Sequence, residues 1–307
     1  MPEIVLIKTS SMGDVIHNLP VATDILEHYP NAGLDWVVEE AFAPIPAMHP
    51  GVRKIIPVAL RRWRKSPFSK KTRAEFCEFR ENLGEKKYDL IVDTQGLFKS
   101  AAIARLACGM RCGYDRHSAR EPLAAFLYDQ ARPVERALHA VTRNRMLAAS
   151  CLGYALDNPL DYGIRMEAKN RGYAVLLHAT SRAEKLWDES NWMALGNRLE
   201  MKCFLPWGSP AERARSMRIS SGIPGSEVTP RLSLDEAARL IAGASVVFGV
   251  DTGLSHLAAA LSVPVIGIYC STDPGLTGIL SAGSGINIGG RKRPPSVEEA
   301  ILAWGNL

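Results

Sequence analysis

A buried-strand run that ends in a polar loop and opens directly into a helix occurs near both ends of this chain. Ile4-Val-Leu-Ile7 leads into Lys8-Thr-Ser-Ser-Met-Gly-Asp14 and an apolar-periodic stretch over 15–26. Ser245-Val-Val-Phe-Gly249 leads into Val250-Asp-Thr-Gly-Leu-Ser-His256 and an alanine-rich stretch over 257–261. Strand–loop–helix units of this kind build parallel sheets, because a crossover helix is the usual way to return the chain for a parallel neighbour. The α/β class follows from that requirement.

The rhythm continues between the two units. The first half alternates strands over 3–7, 34–38, 54–58 and 88–93 with helical stretches near 15–28, 73–83, 100–107 and 137–152. The second half restarts with strands over 173–177, 201–205, 245–249 and 263–269, and helices near 191–199, 211–220 and 233–242. Ser233-Leu-Asp-Glu236 reads as a capping box. The break falls in the polar stretch 157–170, with Pro159 and Gly163. The expected architecture is two Rossmann-like domains, 1–160 and 170–307, facing across a cleft. The last helix, over 297–304, is a candidate to pack back on the first domain.

Bulk properties narrow the function. A chain of 307 residues is long enough for two cores. No run of about 18 apolar residues offers a membrane span, and Glu3 within an immediate strand argues against a secretory signal. Six cysteines are scattered without a CxxC pair, which argues against zinc and against a disulfide framework and fits a reducing cytosol. The net charge of +5 is modest but uneven. Arg61, Arg62, Arg64, Lys65, Lys70, Lys71 and Arg73 fall within thirteen residues that contain no acid, interleaved with Trp63, Pro67 and Phe68. A solvated charge run is the ordinary explanation; the aromatic and proline content favours a shaped loop for an anionic substrate or surface. No nucleic-acid module surrounds it.

The loops at the strand ends carry the chemistry. A strand ending in Asp251-Thr252-Gly253 presents open backbone N–H groups and a hydroxyl at a helix's positive end, an anion site suited to a diphosphate. His256 lies one turn inside as a further donor, and a plain capped helix is the competing explanation. Thr180, Ser181 and Lys185 follow the strand 173–177 and reach the same sheet edge, so two anion-friendly loops converge. Glu212, after Trp207-Gly-Ser-Pro210, is placed to accept from ribose hydroxyls or to serve as a first-turn helix acid. Asp14, at a helix start, is an N-terminal acid or a carboxylate at a ligand-binding edge. Asp93-Thr-Gln-Gly96 adds polar groups on its side.

Taken in order, Lys8-Thr-Ser-Ser-Met-Gly-Asp-Val15, Arg61-Arg-Trp-Arg-Lys65, Asp93-Thr-Gln-Gly96, Ala119-Arg-Glu-Pro-Leu123, Leu205-Pro-Trp-Gly208 and Val250-Asp-Thr-Gly-Leu-Ser-His256 resemble the lipopolysaccharide heptosyltransferases of glycosyltransferase family 9. The resemblance spans nearly the whole chain. The first two motifs resemble the branch that adds the first heptose. It implies a GT-B fold and inverting transfer of L-glycero-D-manno-heptose from ADP-heptose to the first Kdo of Kdo2-lipid A. No metal or other cofactor is expected, and the chain is expected to be cytoplasmic and peripheral to the inner membrane.

Under the resemblance Asp14 is the general base, with Lys185, Thr180, Ser181, Thr252 and Gly253 on the ADP diphosphate. Asp251 and His256 orient the donor, Glu212 meets the ribose and Leu232 lies against adenine. Arg61, Arg62, Arg64, Lys65 and Arg120 are the expected acceptor residues, with Trp63 and Phe68 at the headgroup boundary. Position 181 is Ser where the pattern has Thr, and the tail is brief for the helix that normally returns to the first domain. Two rival classes are weaker. A nicotinamide oxidoreductase lacks its glycine fingerprint, and a non-catalytic glycolipid binder leaves Asp14 and both donor loops idle.

Overall fold

Runs of Val, Ile and Leu buried on both faces are what a parallel sheet covered by helices requires, and the central strands meet that requirement. The computed structural model describes residues 1–167 and 172–307. It divides into two units, 1–164 and 165–307; residues 168–171, inside the polar stretch read as the domain break, lie outside the described residues. The first unit contains β1 (Glu3–Ile7), β2 (Gly33–Glu39), β3 (Lys54–Val58), β4 (Lys87–Asp93), β5 (Cys108–Tyr114) and β6 (Gln130–Arg132). All pair in parallel, in the order β3-β2-β1-β4-β5-β6.

The second unit contains β7 (Tyr173–Leu177), β8 (Lys202–Leu205), β9 (Glu227–Val228), β10 (Val246–Val250), β11 (Val265–Tyr269) and β12 (Gly285–Gly289). Their order is β12-β11-β10-β7-β8-β9, again all parallel. Counted within its own unit, each sheet has the strand order 3-2-1-4-5-6 of a Rossmann fold. Strand order reverses between β1 and β4 and between β7 and β10, and α/β sheets bind ligands beyond the carboxyl ends of such strands. The motif loops leave these four strands.

Several expectations are corrected. The helix expected over 15–28 is two, Met12–Ile16 and Leu19–His28. Pro20 has no N–H to give and its ring would collide with the Ile16 carbonyl, so the first helix stops there. The last helix, Val297–Gly305, buries Val297, Ala300 and Ala303 in the second unit's core with Trp187, Trp192, Ile266 and Ile268. Cys112 and Cys151 form a disulfide, against the expectation of none. They meet because β5 and the helix Ala140–Leu152 enclose a small core with Tyr114, Ala119, Val134 and Leu147.

Candidate active site

Asp14 is held by its own loop. Ser11 N–H and Ser11 Oγ both donate to Asp14 Oδ2 at 2.9 Å, closing a capping box on the helix Met12–Ile16. The Arg120 guanidinium lies 3.6 Å from the same oxygen. Burial works against its charge, but Lys8, the Ser11 N–H and Arg120 outweigh it and hold the carboxyl below its ordinary range. The helix-start and functional readings of Asp14 are therefore compatible: one oxygen caps, and a quarter of the side chain stays exposed.

Beneath Asp14 lies a buried ammonium that sequence reasoning did not single out. Lys8 Nζ donates to the Thr94 carbonyl at 2.7 Å and to Asn144 Oδ1 at 3.2 Å. Burial lowers its pKa to about 8, against the pull of Asp14 and Asp93. The unfolded chain therefore binds a proton above pH 8 that the folded chain releases, and stability gains with pH there. Relative to Lys8→Met, the wild type is expected to gain about 2 kcal/mol in urea unfolding between about pH 7.5 and about pH 9.5. Parallel pH profiles for the two proteins would refute this.

The loop carrying Asp14 is clamped by Gln95. Its Oε1 accepts from Thr9 N–H at 2.7 Å, Thr9 Oγ1 at 2.9 Å and Ser10 N–H at 3.3 Å, and its Nε2 donates to the Ser10 carbonyl. Asp93 accepts from Gln95 N–H and, at 2.7 Å, from Tyr128 Oη, which seats the second loop. The sequence hint was only that Asp93-Thr-Gln-Gly96 ends a strand.

In the second unit Asp251 is the hub. Lys185 Nζ lies 2.7 Å from Asp251 Oδ2, Thr272 Oγ1 donates to the same oxygen at 2.7 Å, and His256 Nε2 is 3.8 Å from Oδ1. Burial opposes ionisation, but His256, Lys185 and Thr272 overcome it, so Asp251 stays charged well below the usual carboxylate range. Thr180 Oγ1 donates to the Asp251 carbonyl at 3.0 Å, tying the β7 loop to the β10 loop. Asp251 is thus occupied with fixing Lys185 and His256. Thr272, after β11, was not anticipated.

The N-cap of the helix Gly253–Ala260 is Thr252, whose side chain makes no capping bond. Gly249 leaves room for Ser255, whose hydroxyl bonds the Val250 carbonyl at 2.8 Å and braces the turn. Ser181 is exposed and Leu232 half-buried. Glu212 Oε2 accepts from Gly208 N–H at 2.7 Å and Ser209 N–H at 3.1 Å, so the capping reading holds for that oxygen. Among the described residues, no three His, Cys, Asp or Glu side chains gather as a metal site.

The basic segment is less uniform than its sequence. Arg62 is committed to Glu40 at 2.9 Å and Glu75 at 2.6 Å, which removes it from the set of open cations. Trp63 is buried in the core and its indole N–H bonds Glu75 at 2.8 Å, so it does not reach a headgroup boundary. Phe68 is exposed, and so are Arg61, Arg64 and Lys65, with the Arg61 guanidinium over the Phe42 ring.

Two Rossmann sheets, one presenting a held carboxylate and the other an anion loop with a fixed ammonium, are the make-up of a GT-B glycosyltransferase. The family model "Glycosyltransferase family 9 (heptosyltransferase)" matches residues 76–301. The chain is 47% identical over 289 residues to lipopolysaccharide heptosyltransferase 1 of Salmonella typhimurium, covering 90% of each chain. It is 46% identical over 286 residues to that of Escherichia coli K12, again covering 90% of each. The solved structure of E. coli heptosyltransferase WaaC with ADP superposes with a TM-score of 0.92 at 42% identity, covering 99% of each chain. A second, with ADP-2-deoxy-2-fluoro heptose, gives 0.88 at 41% identity over 99% of each. The chain belongs to glycosyltransferase family 9, the heptosyltransferases.

Proposed function

We propose that this enzyme moves L-glycero-D-manno-heptose from ADP-heptose to the first Kdo of Kdo2-lipid A, inverting the anomeric centre, at the cytoplasmic face of the inner membrane. The observation that carries the reading is the Lys185–Asp251–Thr272 cluster beside the open start of the helix Gly253–Ala260. It supplies a fixed positive charge and backbone N–H groups where a leaving diphosphate gathers charge. Thr180, Ser181 and Thr252 add hydroxyls. Glu212 Oε1, which the helix cap does not use, is the oxygen offered to ribose, and Leu232 offers an apolar surface to adenine.

Displacement needs a base in line with the leaving group. Asp14 is too weak a base to ionise a sugar hydroxyl outright. It takes the proton late, as the new C–O bond forms to an oxocarbenium-like carbon, the order used by inverting glycosidases. Incubation with ADP-heptose and Kdo2-lipid A is expected to release ADP and give an inverted heptoside; no ADP release would overturn the reading. Lys185 and the helix start do the work a divalent cation does elsewhere, so EDTA should leave most of the rate, and complete loss would reveal a required metal.

For the acceptor, Arg61, Arg64, Lys65 and Arg120 are the open cations for Kdo carboxylates and lipid A phosphates. Replacing Arg61, Arg64 and Lys65 together by Ala should raise the acceptor KM several-fold, leave the donor KM alone, and do so less at high salt. Arg62→Ala should instead weaken the fold with little change in KM. An unchanged acceptor KM in the triple variant at low ionic strength would make this segment a solvated surface.

A further inference from the structure

Among the exposed large apolar side chains of the first unit, three stand on neighbouring elements that follow the loop after β4 and the Arg120 segment: Phe126 at 75%, Leu123 at 64% and Phe98 at 51%. Single exposed apolar residues need no explanation; a cluster does. Phe98 opens the helix Phe98–Ala104, and its N–H donates to Glu121 Oε2 at 2.6 Å, directly before the 3-10 helix Pro122–Leu127. The two elements pack through Ala101 and Ala124, both fully buried, with Tyr128 below them. A 3-10 helix repeats every three residues, so Leu123 and Phe126 stand on the same face, while Ala124 turns inward. Folding has buried the alanines and left the large side chains outside.

The flanks of this patch are cationic and lead to the base. Lys99 is exposed and reaches Ser10 Oγ at 3.4 Å; Arg120 is exposed and lies 3.6 Å from Asp14. Glu121 N–H donates to the Gly96 carbonyl at 3.0 Å, joining the 3-10 element to the loop that clamps Asp14's segment. The nearby carboxylates of Glu121 and Asp129 are engaged, the first by Phe98 N–H and the second by Arg111 at 2.9 Å. Apolar tips rimmed by open cations suit the boundary of a bilayer with anionic headgroups.

We infer that Phe98, Leu123 and Phe126, flanked by Lys99 and Arg120, dock the first unit on an anionic bilayer. Docking there sets Asp14 at the height of a sugar that projects from that bilayer. The inference rests on the reading that the acceptor is a lipid-anchored sugar, and it adds the surface by which the enzyme meets the bulk membrane.

The test is a variant carrying Phe98→Ser, Leu123→Ser and Phe126→Ser. Co-sedimentation uses acceptor-free vesicles of roughly three parts phosphatidylethanolamine to one part phosphatidylglycerol. The variant is expected to partition at least about tenfold more weakly than the wild type. Its kcat/KM on a fully deacylated, vesicle-free acceptor should stay within about twofold of the wild type, because none of the three substituted side chains is placed in the base, donor or acceptor sites. Equal partition of variant and wild type overturns the inference. So does self-association of the wild type that the variant abolishes, which would make the patch a contact between copies. So does a variant with normal vesicle partition but a raised KM for monomeric acylated acceptor, which would make it a tail subsite. Inactivity of the wild type on every acceptor would sink the functional reading and leave the vesicle result to stand on its own.

Discussion

Alanine in place of Asp14 is expected to lower kcat by a factor on the order of 10² to 10⁴, the span of a lost general base. Loss of the carboxylate also opens the capping box, leaving Ser11 N–H and Ser11 Oγ without their acceptor, at a cost of about 1 kcal/mol to the helix. Stability and rate must therefore be measured together. ADP affinity should be nearly unchanged, since the residues proposed for the donor all belong to the second unit. The pH profile supplies a second check. Because Asp14 titrates below the ordinary carboxylate range, it remains ionised at neutral pH, and its contribution to rate is lost only as pH falls through that lowered value. Near-wild-type turnover in a folded Asp14→Ala protein would remove Asp14 from the chemistry.

Lys185→Ala is expected to weaken ADP binding about tenfold or more and to lower kcat by about 10² to 10³, the scale seen when one preorganised charge-stabilising donor is removed. Two causes would produce a loss. The diphosphate loses its ammonium, and Asp251, only 10% exposed, is left with Thr272 and His256. Removing one partner of a buried pair is itself costly. The double variant Lys185→Ala/Asp251→Asn separates the two, because the amide carries no unpaired charge. If the ammonium contacts the diphosphate, the double variant stays as weak for ADP as Lys185→Ala. Recovery of ADP affinity in the double variant would show that Lys185 serves only to neutralise Asp251, and unchanged ADP affinity in the single variant would put the diphosphate elsewhere.

What could be read before folding was whatever local pattern decides. β1 and β7 fall where their apolar runs lie, because central strands buried on both faces leave an unbroken hydrophobic signature. The loops after β1, β7 and β10 were legible for the same reason, being the polar gaps between such runs and the helices that follow. β5, β6, β9 and β12 gave no such sign. They lie toward the outer positions of their sheets and are partly exposed; β5, β6 and β12 carry Gly, Gln, Arg or Asn, and β9 is only Glu-Val, so nothing in their composition separates them from loops. Partnerships across long sequence distance were also hidden. Arg62 finds Glu40, Lys8 finds Asn144, and Cys112 finds Cys151 only once the sheet order has placed them together. A run of cations without an intervening acid looked uniformly free because its acids lie outside it, Glu40 in another segment and Glu75 just beyond its end.

The chain divides at one point, and each side keeps its own elements. All six strands of the first sheet lie between Glu3 and Arg132, and the final helix closes the core of the second unit. During synthesis, the half bearing Asp14, Lys8 and Gln95 leaves the ribosome with its complete set of strands while the anion loops are still untranslated. Domains fold as units in the order they emerge, so the base can be seated in its clamp before any part of the chain able to hold a nucleotide exists.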